Sequence, residues 1–323
     1  MTLPIGRVVV LTNPMAGHGN APHAAEQAVA RFQQHGVNVV EVVGRDAAHA
    51  RLLAEEALGD QTDALVVVGG DGVISLALQI VAQTDIPLGI VPAGTGNDHA
   101  REYRLPVGDP VAAVDVIVAG QTETVDLGRI TASDGTARWF GTIAATGFDS
   151  LVSDRVNRMR WPHGRMRYNL AILAELSKLR LLPFRLVFDG RREVIADLTL
   201  VAYGITRSYG GGMLICPAAD HGDGLLDITM VHSASRIRLM RLFPTVFKGT
   251  HIGLPEVTTE RARTVSVESP GINAYADGDF ACALPAEISA VPAAVHILVD
   301  RSVRPTPEPT LGLTDRPREA GRC

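Results

Sequence analysis

The chain opens on a regular exchange of apolar runs and amphipathic stretches. Arg7–Thr12 reads as a buried strand, Pro22–His35 as a helix with Ala, Val and Phe on one face, and Val37–Val43 as a second strand. Ala47–Leu58 (helix), Ala64–Val68 (strand), Val73–Gln83 (helix), Pro87–Val91 (strand) and Pro110–Ala119 (helix) continue the alternation to a strand at Thr124–Arg129. Strands separated by helical patterns of about 10–15 residues predict βαβ units and a parallel sheet. Beyond residue 129 the texture changes. Trp139–Ala145, Arg185–Phe188, Ile195–Tyr203, Leu225–Val231, Thr264–Glu268 and Asn273–Ala276 are short alternating segments between Gly, Pro and Asp, which predicts antiparallel strands packed as a sandwich. Helical inserts are expected at Met166–Leu181 and Arg236–Phe247, and Val295–Val299 is a last strand free to return to either half.

The fold class is therefore α/β: an open, mainly parallel α/β domain over residues 1–129, then an antiparallel β-sandwich domain over 130–303. Residues 304–323 carry four prolines among polar residues and read as a disordered tail. A chain of 323 residues suits two cores. With a net charge of −5, nucleic acid is excluded as the main partner, because neutralising phosphates needs surplus Lys and Arg. Cys216, Cys282 and Cys323 lie far apart with no CxxC spacing, which fits a reducing compartment and neither a zinc site nor a disulfide framework. No signal peptide and no apolar run of roughly 20 residues is visible, so a cytoplasmic location is expected.

Three runs of small residues each follow an apolar strand: Asn13-Pro14-Met15-Ala16-Gly17, Gly69-Gly70-Asp71-Gly72 and Pro92-Ala93-Gly94-Thr95-Gly96-Asn97-Asp98. Glycine lets several N–H donors approach one anion, and loops after parallel strands share one edge of the sheet. Together they point to a nucleotide polyphosphate site. The usual cation is missing, since the only lysines are Lys178 and Lys248. There is accordingly no GxxxxGK[ST] loop and no protein-kinase strand lysine, and no GxGxxG opens a helix. Backbone donors, arginine and a divalent cation are left to offset phosphate charge. Asp71 beside a phosphate cradle would repel it without such a cation, which makes it a candidate Mg²⁺-linked group; capping the following helix is the plainer alternative.

The ordered set Asn13-Pro-x-x-Gly17, Gly69-Gly-Asp-Gly72, Pro92-x-Gly-Thr-Gly-Asn-Asp98, Val125-Asp-Leu-Gly128, Gly147-Phe-Asp149, Gly210-Gly-Gly212, Pro217-x-Ala219, Asp223-Gly-Leu-x-Asp227 and Asp277-Gly-Asp279 resembles the soluble bacterial diacylglycerol kinases, and most of all the actinobacterial ones. These are ATP- and Mg²⁺-dependent lipid kinases that make phosphatidic acid. The resemblance implies that Asn13, Pro14, Met15, Ala16 and Gly17, together with Gly70, Asp71, Gly72, Val73, Ile74, Ser75 and Leu76, line the ATP site, with Thr95 beside the phosphates and Gly44 near the nucleotide. It implies an aspartate–water–Mg²⁺ network of Asp71 and Asp126, and a second, structural Mg²⁺ on Asp220, Asp223 and the Leu225 carbonyl. Asp277 or Asp279 would be the general base. Read alone, the segments 220–225 and 277–279 equally suit a β-turn and a hairpin turn.

Several positions depart from the wider family: Val73 for Thr, Leu76 for Glu, Ala16 for Ser, His99 for Phe, and Asp279 for Glu. Other lipid acceptors, a soluble acceptor such as NAD, and a silent nucleotide-binding regulator are the competing readings. The resemblance implies diacylglycerol as substrate, met by peripheral contact with the inner face of the cell membrane; a homodimer is left open. Arg155, Arg158, Arg160, Arg165 and Arg167, interleaved with Met159, Trp161, Met166 and Tyr168, suit an anionic bilayer surface or an ordinary solvated loop.

Overall fold

In a computed structural model, residues 3–12, 21–59, 61–148, 155, 181–232 and 236–302 are described. Four strands, β1 (Arg7–Thr12), β2 (Asn38–Val43), β3 (Ala64–Gly69) and β4 (Leu88–Pro92), pair in parallel in the order β4-β3-β1-β2. Their side chains alternate between two cores. Val9, Leu11, Leu65, Val67 and Ile90 face helices α2 (Ala47–Ala57) and α3 (Asp71–Val81). Val8, Val10, Val66, Val68 and Val91 face α1 (Ala21–Gln34) and α5 (Pro110–Val118). β1 and β3 are buried at nearly every position because helices cover both sides, as expected of a parallel sheet. A short helix, α4 (Asp98–Glu102), follows the loop after β4.

The C-terminal half is antiparallel. It comprises β6 (Ala137–Phe140), β7 (Ile143–Gly147), β8 (Leu182–Phe188), β9 (Arg192–Gly204), β10 (Leu226–His232), β11 (Val257–Ala262), β12 (Thr264–Glu268), β13 (Asn273–Ala276) and β14 (Asp279–Ala283), with α6 (Arg236–Val246) packed through Leu239, Leu242 and Val246. Two long strands, β5 (Thr122–Ala132) and β15 (Ala286–Leu298), join the halves. β15 pairs with β12 near its start and meets β4 in parallel at Ile297 and Leu88, so the final strand serves both sheets.

Three local expectations are corrected. The stretch Trp139–Ala145 is two strands, because Gly141 and Thr142 turn their N–H groups out of the ladder towards the Asp277 carboxylate. Helix α3 starts at Asp71, two residues before the expected Val73, with Gly70 in the N-cap position and no side-chain cap. β11 was not foreseen: its exposed middle, Thr258 and Thr259, hides the strand pattern, and it pairs only with β10. The loop Asn13–Gly17, the basic and aromatic run from Arg158 to Tyr168, most of the insert Met166–Leu181, and the tail 304–323 lie outside the described residues.

The halves are also fastened by a charged clamp. His221, on the loop before β10, puts Nδ1 3.3 Å from Glu102 Oε1 of α4 and Nε2 3.2 Å from Glu123 Oε1 of β5. Burial works against the imidazolium, but the two carboxylates outweigh it and raise the His221 pKa to about 9. An unfolded histidine titrates near 6.5. The clamp is therefore fully stabilising below about pH 6.5 and is lost as pH rises through about 9, worth up to roughly 3 kcal/mol. Urea unfolding of wild type should show this loss between pH 6.5 and 9, and His221→Gln should lose markedly less stability across that window. An equally steep loss in His221→Gln would contradict the clamp.

Candidate active site

β1, β3 and β4 end on the same edge: Thr12 lies level with Val68, and Gly69 with Pro92. The loops after β3 and β4 touch there. A Cβ on Gly94 would fall 2.4 Å from the Gly70 Cα, so these two peptides approach as only glycine allows. Asn97 closes the second loop on itself, its Oδ1 accepting from Gly94 N at 3.0 Å and its Nδ2 donating to Gly94 O at 2.9 Å. Asn97 takes a left-handed φ of 55°, which Asn tolerates better than most residues. Behind the first loop the α3 N-terminus presents the Asp71 and Gly72 N–H groups without a side-chain cap, and a Cβ at Gly72 would meet open space. An uncapped helix N-terminus between glycine turns suits phosphate. A groove of about 450 Å³ opens alongside, between His23 and Gln27 of α1 and Gly94, Thr95 and Asn97.

Carboxylates crowd this edge. Asp71 Oδ1 accepts from His99 N at 3.2 Å and lies 3.1 Å from His99 Nδ1. Burial favours a neutral Asp71, but the His99 imidazole and the His99 and Asp98 peptides hold its carboxyl below the ordinary aspartate range. Burial likewise opposes charge on His99, yet the hydrogen bond to Asp71 and the charges of Asp277, Asp71 and Asp98 raise its pKa. Asp98 reaches across to the other half. Its Oδ2 accepts from Gly211 N at 2.8 Å, and its Oδ1 from Gly212 N at 2.9 Å and Arg101 Nη2 at 2.7 Å. Gly211 and Gly212 sit at φ of 88° and 101°, a left-handed run that glycine alone enters freely.

Asp277-Gly278 is the turn of the β13–β14 hairpin, with φ of 50° and 86°. The turn aims two different carboxylates. Asp277 is fully engaged, accepting from Gly141 N at 2.9 Å and from Thr142 N and Oγ1 at 2.8 and 2.6 Å. Asp279 is half-exposed and pairs with Arg138 Nη2 at 2.8 Å, its one ion pair among the described residues. Partial withdrawal from water raises its pKa; Arg138 opposes this and Asp277 adds to it.

The other expected site residues are distributed as follows. Gly44 packs on α2, where a Cβ would fall 2.4 Å from Ala50 Cβ. Val73, Ile74 and Ser75 point their side chains into the core, and the Val73 and Ile74 N–H groups turn back to the Gly70 carbonyl. Leu76 is partly buried against the same core. Asp126 is buried at an irregularity in β15, Oδ1 accepting from Ala293 N at 2.8 Å and Oδ2 from Gly224 N at 2.6 Å. Asp220 accepts from Gly222 N, Asp223 accepts from Leu225 N and also pairs with Arg261. Sequence reasoning missed His99, Asp98, Arg138 and His221 as working residues. Gly210-Gly-Gly212 was the available signal for Asp98, since three successive glycines imply a backbone shaped to bind something.

For a magnesium-bound triphosphate the donor set at Asp71 fits. Its Oδ2 faces Gly96, where a Cβ would lie 2.6 Å away, and Mg²⁺ asks for one or two carboxylates because phosphates and waters complete its shell. No three His, Cys, Asp or Glu side chains among the described residues form a ready cage. Around 220–227, two of three aspartates share one arginine: Arg261 reaches Asp223 and, at 3.2 Å, Asp227. Burial and then the Asp220 charge push the Asp227 pKa up to about 6.

Comparison with known proteins agrees with this geometry. The diacylglycerol kinase catalytic domain model matches residues 7–130, and the YegS C-terminal NAD kinase beta sandwich-like domain model matches residues 142–299. A diacylglycerol kinase of Mycobacterium tuberculosis is 67% identical over 297 residues, 92% of this chain and 96% of that protein. A diacylglycerol kinase of Bacillus subtilis is 26% identical over 302 residues, 91% and 97% of the two chains. A crystal structure of a diacylglycerol kinase from Bacillus anthracis shares the fold with a TM-score of 0.68 at 19% identity, covering 93% of this chain and 98% of that one. No helix of the described residues is long and apolar enough to cross a membrane. With glycine loops in place of a lysine-bearing phosphate loop, an aspartate hairpin facing them, and these relatives over nearly its whole length, the chain belongs to the diacylglycerol kinase family, enzymes that take their phosphoryl group from ATP.

Proposed function

We propose that this kinase transfers the γ-phosphoryl group of ATP to the free hydroxyl of a 1,2-diacylglycerol, giving phosphatidic acid and ADP. The observation that carries the reading is the touching Gly70 and Gly94 loops, linked through His99 and Gly141 to the β13–β14 hairpin, where Asp279 has no backbone donor among the described residues. The Asp71 and Gly72 N–H groups and the loop around Thr95 hold and orient the phosphates. A magnesium ion linked to Asp71 would offset charge on the transferring group.

Asp279 takes the hydroxyl proton as the hydroxyl oxygen bonds to the γ-phosphorus and the bond to the β,γ-bridging oxygen breaks. Its raised pKa makes it a better base than an ordinary aspartate, and Arg138 orients it. Asp277, committed to three donors, shapes the hairpin instead. A second cation at Asp220, Asp223 and the Leu225 carbonyl is part of the same reading, as a support for the loop that carries His221. The substrate resides in a bilayer, so the enzyme works as a peripheral protein at the inner membrane face, with Arg155–Arg167 as one candidate contact. A homodimer is compatible with this arrangement.

Asp279→Asn should lower kcat by about 10²–10⁴-fold with an unchanged melting temperature. Asp277→Asn should instead cost stability, of the order of 1–3 kcal/mol, because an amide nitrogen is brought against N–H donors. Phosphate transfer from labelled ATP and chemical denaturation of both variants separate the two roles. Near-normal turnover by Asp279→Asn would remove it as the base. The acceptor is tested by offering dispersed diacylglycerol, monoacylglycerol, sphingoid bases and NAD side by side; transfer confined to any acceptor other than diacylglycerol would refute the substrate.

A further inference from the structure

His99 has an unusual position for a polar side chain. It is 1% exposed, and its Nε2 is buried without a hydrogen-bond partner among the described residues. One ring nitrogen therefore works and the other does not. Nδ1 lies 3.1 Å from Asp71 Oδ1, the same oxygen that accepts the His99 peptide N–H at 3.2 Å. Both interactions converge on Oδ1, while Oδ2 lies on the side facing Gly96; the Asp98 peptide also hydrogen-bonds the carboxylate. Nε2 packs against the opposite wall: a Cβ on Gly141 would lie 2.5 Å from it. Gly141 in turn donates to Asp277 Oδ2 at 2.9 Å. The ring thus fills the space between the loop bearing Asp71 and the corner that holds the aspartate hairpin.

We propose that His99 is a positioning residue for the nucleotide-bound cation: by occupying Asp71 Oδ1 it fixes the carboxylate rotamer and presents Oδ2 to the metal beside the phosphates. An aspartate has two equivalent oxygens and a nearly free terminal torsion, so without a side-chain partner it divides its time between orientations. The His99 and Asp98 peptide N–H groups restrain the carboxylate from the backbone of α4, and the imidazole restrains Oδ1 from a second direction. Groups that orient a metal ligand from behind in this way are typically worth 10–100-fold in metal affinity or activity. The sequence offers a natural contrast, because a phenyl ring at this position fills the same volume and cannot donate.

This inference rests on the ATP-dependent reading only as far as nucleotide binding, and its test needs no lipid. Binding of a non-hydrolysable ATP analogue to the full chain is measured by calorimetry with saturating Mg²⁺ and with EDTA. Wild type should bind more tightly with Mg²⁺. His99→Phe should lose about tenfold or more of that Mg²⁺ gain, and His99→Asn, whose amide nitrogen can stand where Nδ1 stood, should come back to within about threefold of wild type. Affinity in EDTA should be nearly equal in all three. In turnover assays His99→Phe should raise the apparent KM for Mg²⁺ with a smaller change in kcat at saturating Mg²⁺. A purely packing role would give a different order, with His99→Phe nearest wild type and His99→Asn worst, tracking melting temperature. Should His99→Phe not fold, His99→Ala against His99→Asn carries the same comparison. An unchanged Mg²⁺ gain in His99→Phe, a His99→Asn as weak as His99→Phe, or no Mg²⁺ gain in wild type would each overturn the proposal. Diacylglycerol phosphorylation is scored separately. Its absence alongside a His99-dependent Mg²⁺ gain would refute the lipid substrate and leave the positioning role standing.

Discussion

The site depends on two peptide backbones in contact. Gly70 ends the turn after β3 and Gly94 begins the turn after β4, and no side chain fits between them. That contact brings the uncapped α3 N-terminus and the closed Gly94–Asn97 loop to one point, at the edge where parallel strands deliver all their loops. It also brings Asp71 against α4, so the phosphate donors and the aspartate that would repel phosphate are placed by the same geometry. A chain with no lysine before residue 178 leaves other basic side chains around this edge, each paired with an aspartate. His99 and Arg101 sit on the first half, and Arg138 on the strand facing it.

Carboxylates accepting from peptide N–H groups fix the joint between the halves and the hairpin within the second half. Asp98 receives Gly211 and Gly212, Asp277 receives Gly141 and Thr142, and Asp126 receives Gly224 and Ala293. Charge-assisted bonds of this kind are short and directional, so they fix distance and angle better than apolar contact does. The strands β5 and β15 carry the load between these joints. Among the described residues around the cleft, Asp279 is a half-exposed carboxylate paired with an arginine. These aspartates thus differ in what occupies their lone pairs.

Much of this could be read from the sequence because its causes are local. Buried strands such as Val8–Leu11 and Leu65–Val68 declare themselves by unbroken apolar runs, and the glycine turns by composition. What escaped was set by partners far along the chain. Asp71 was readable as a Mg²⁺-linked group or a helix cap, but not as a carboxylate held by His99, 28 positions away. Asp277 and Asp279 look alike in sequence; Gly141 and Thr142, more than 130 positions earlier, decide which of them is free. β11 escaped because an edge strand with an exposed polar middle lacks the alternation that marks a buried one.

The most direct test is a crystal structure of the protein with a non-hydrolysable ATP analogue and Mn²⁺ in place of Mg²⁺, using the manganese anomalous signal to locate the metal. The expected result is a peak within direct or one-water reach of Asp71, between the Gly70–Gly72 and Gly94–Gly96 turns, with the terminal phosphate directed towards Asp279. Phosphates seated away from those turns, or manganese with no link to Asp71, would contradict the proposed electrostatics of the site.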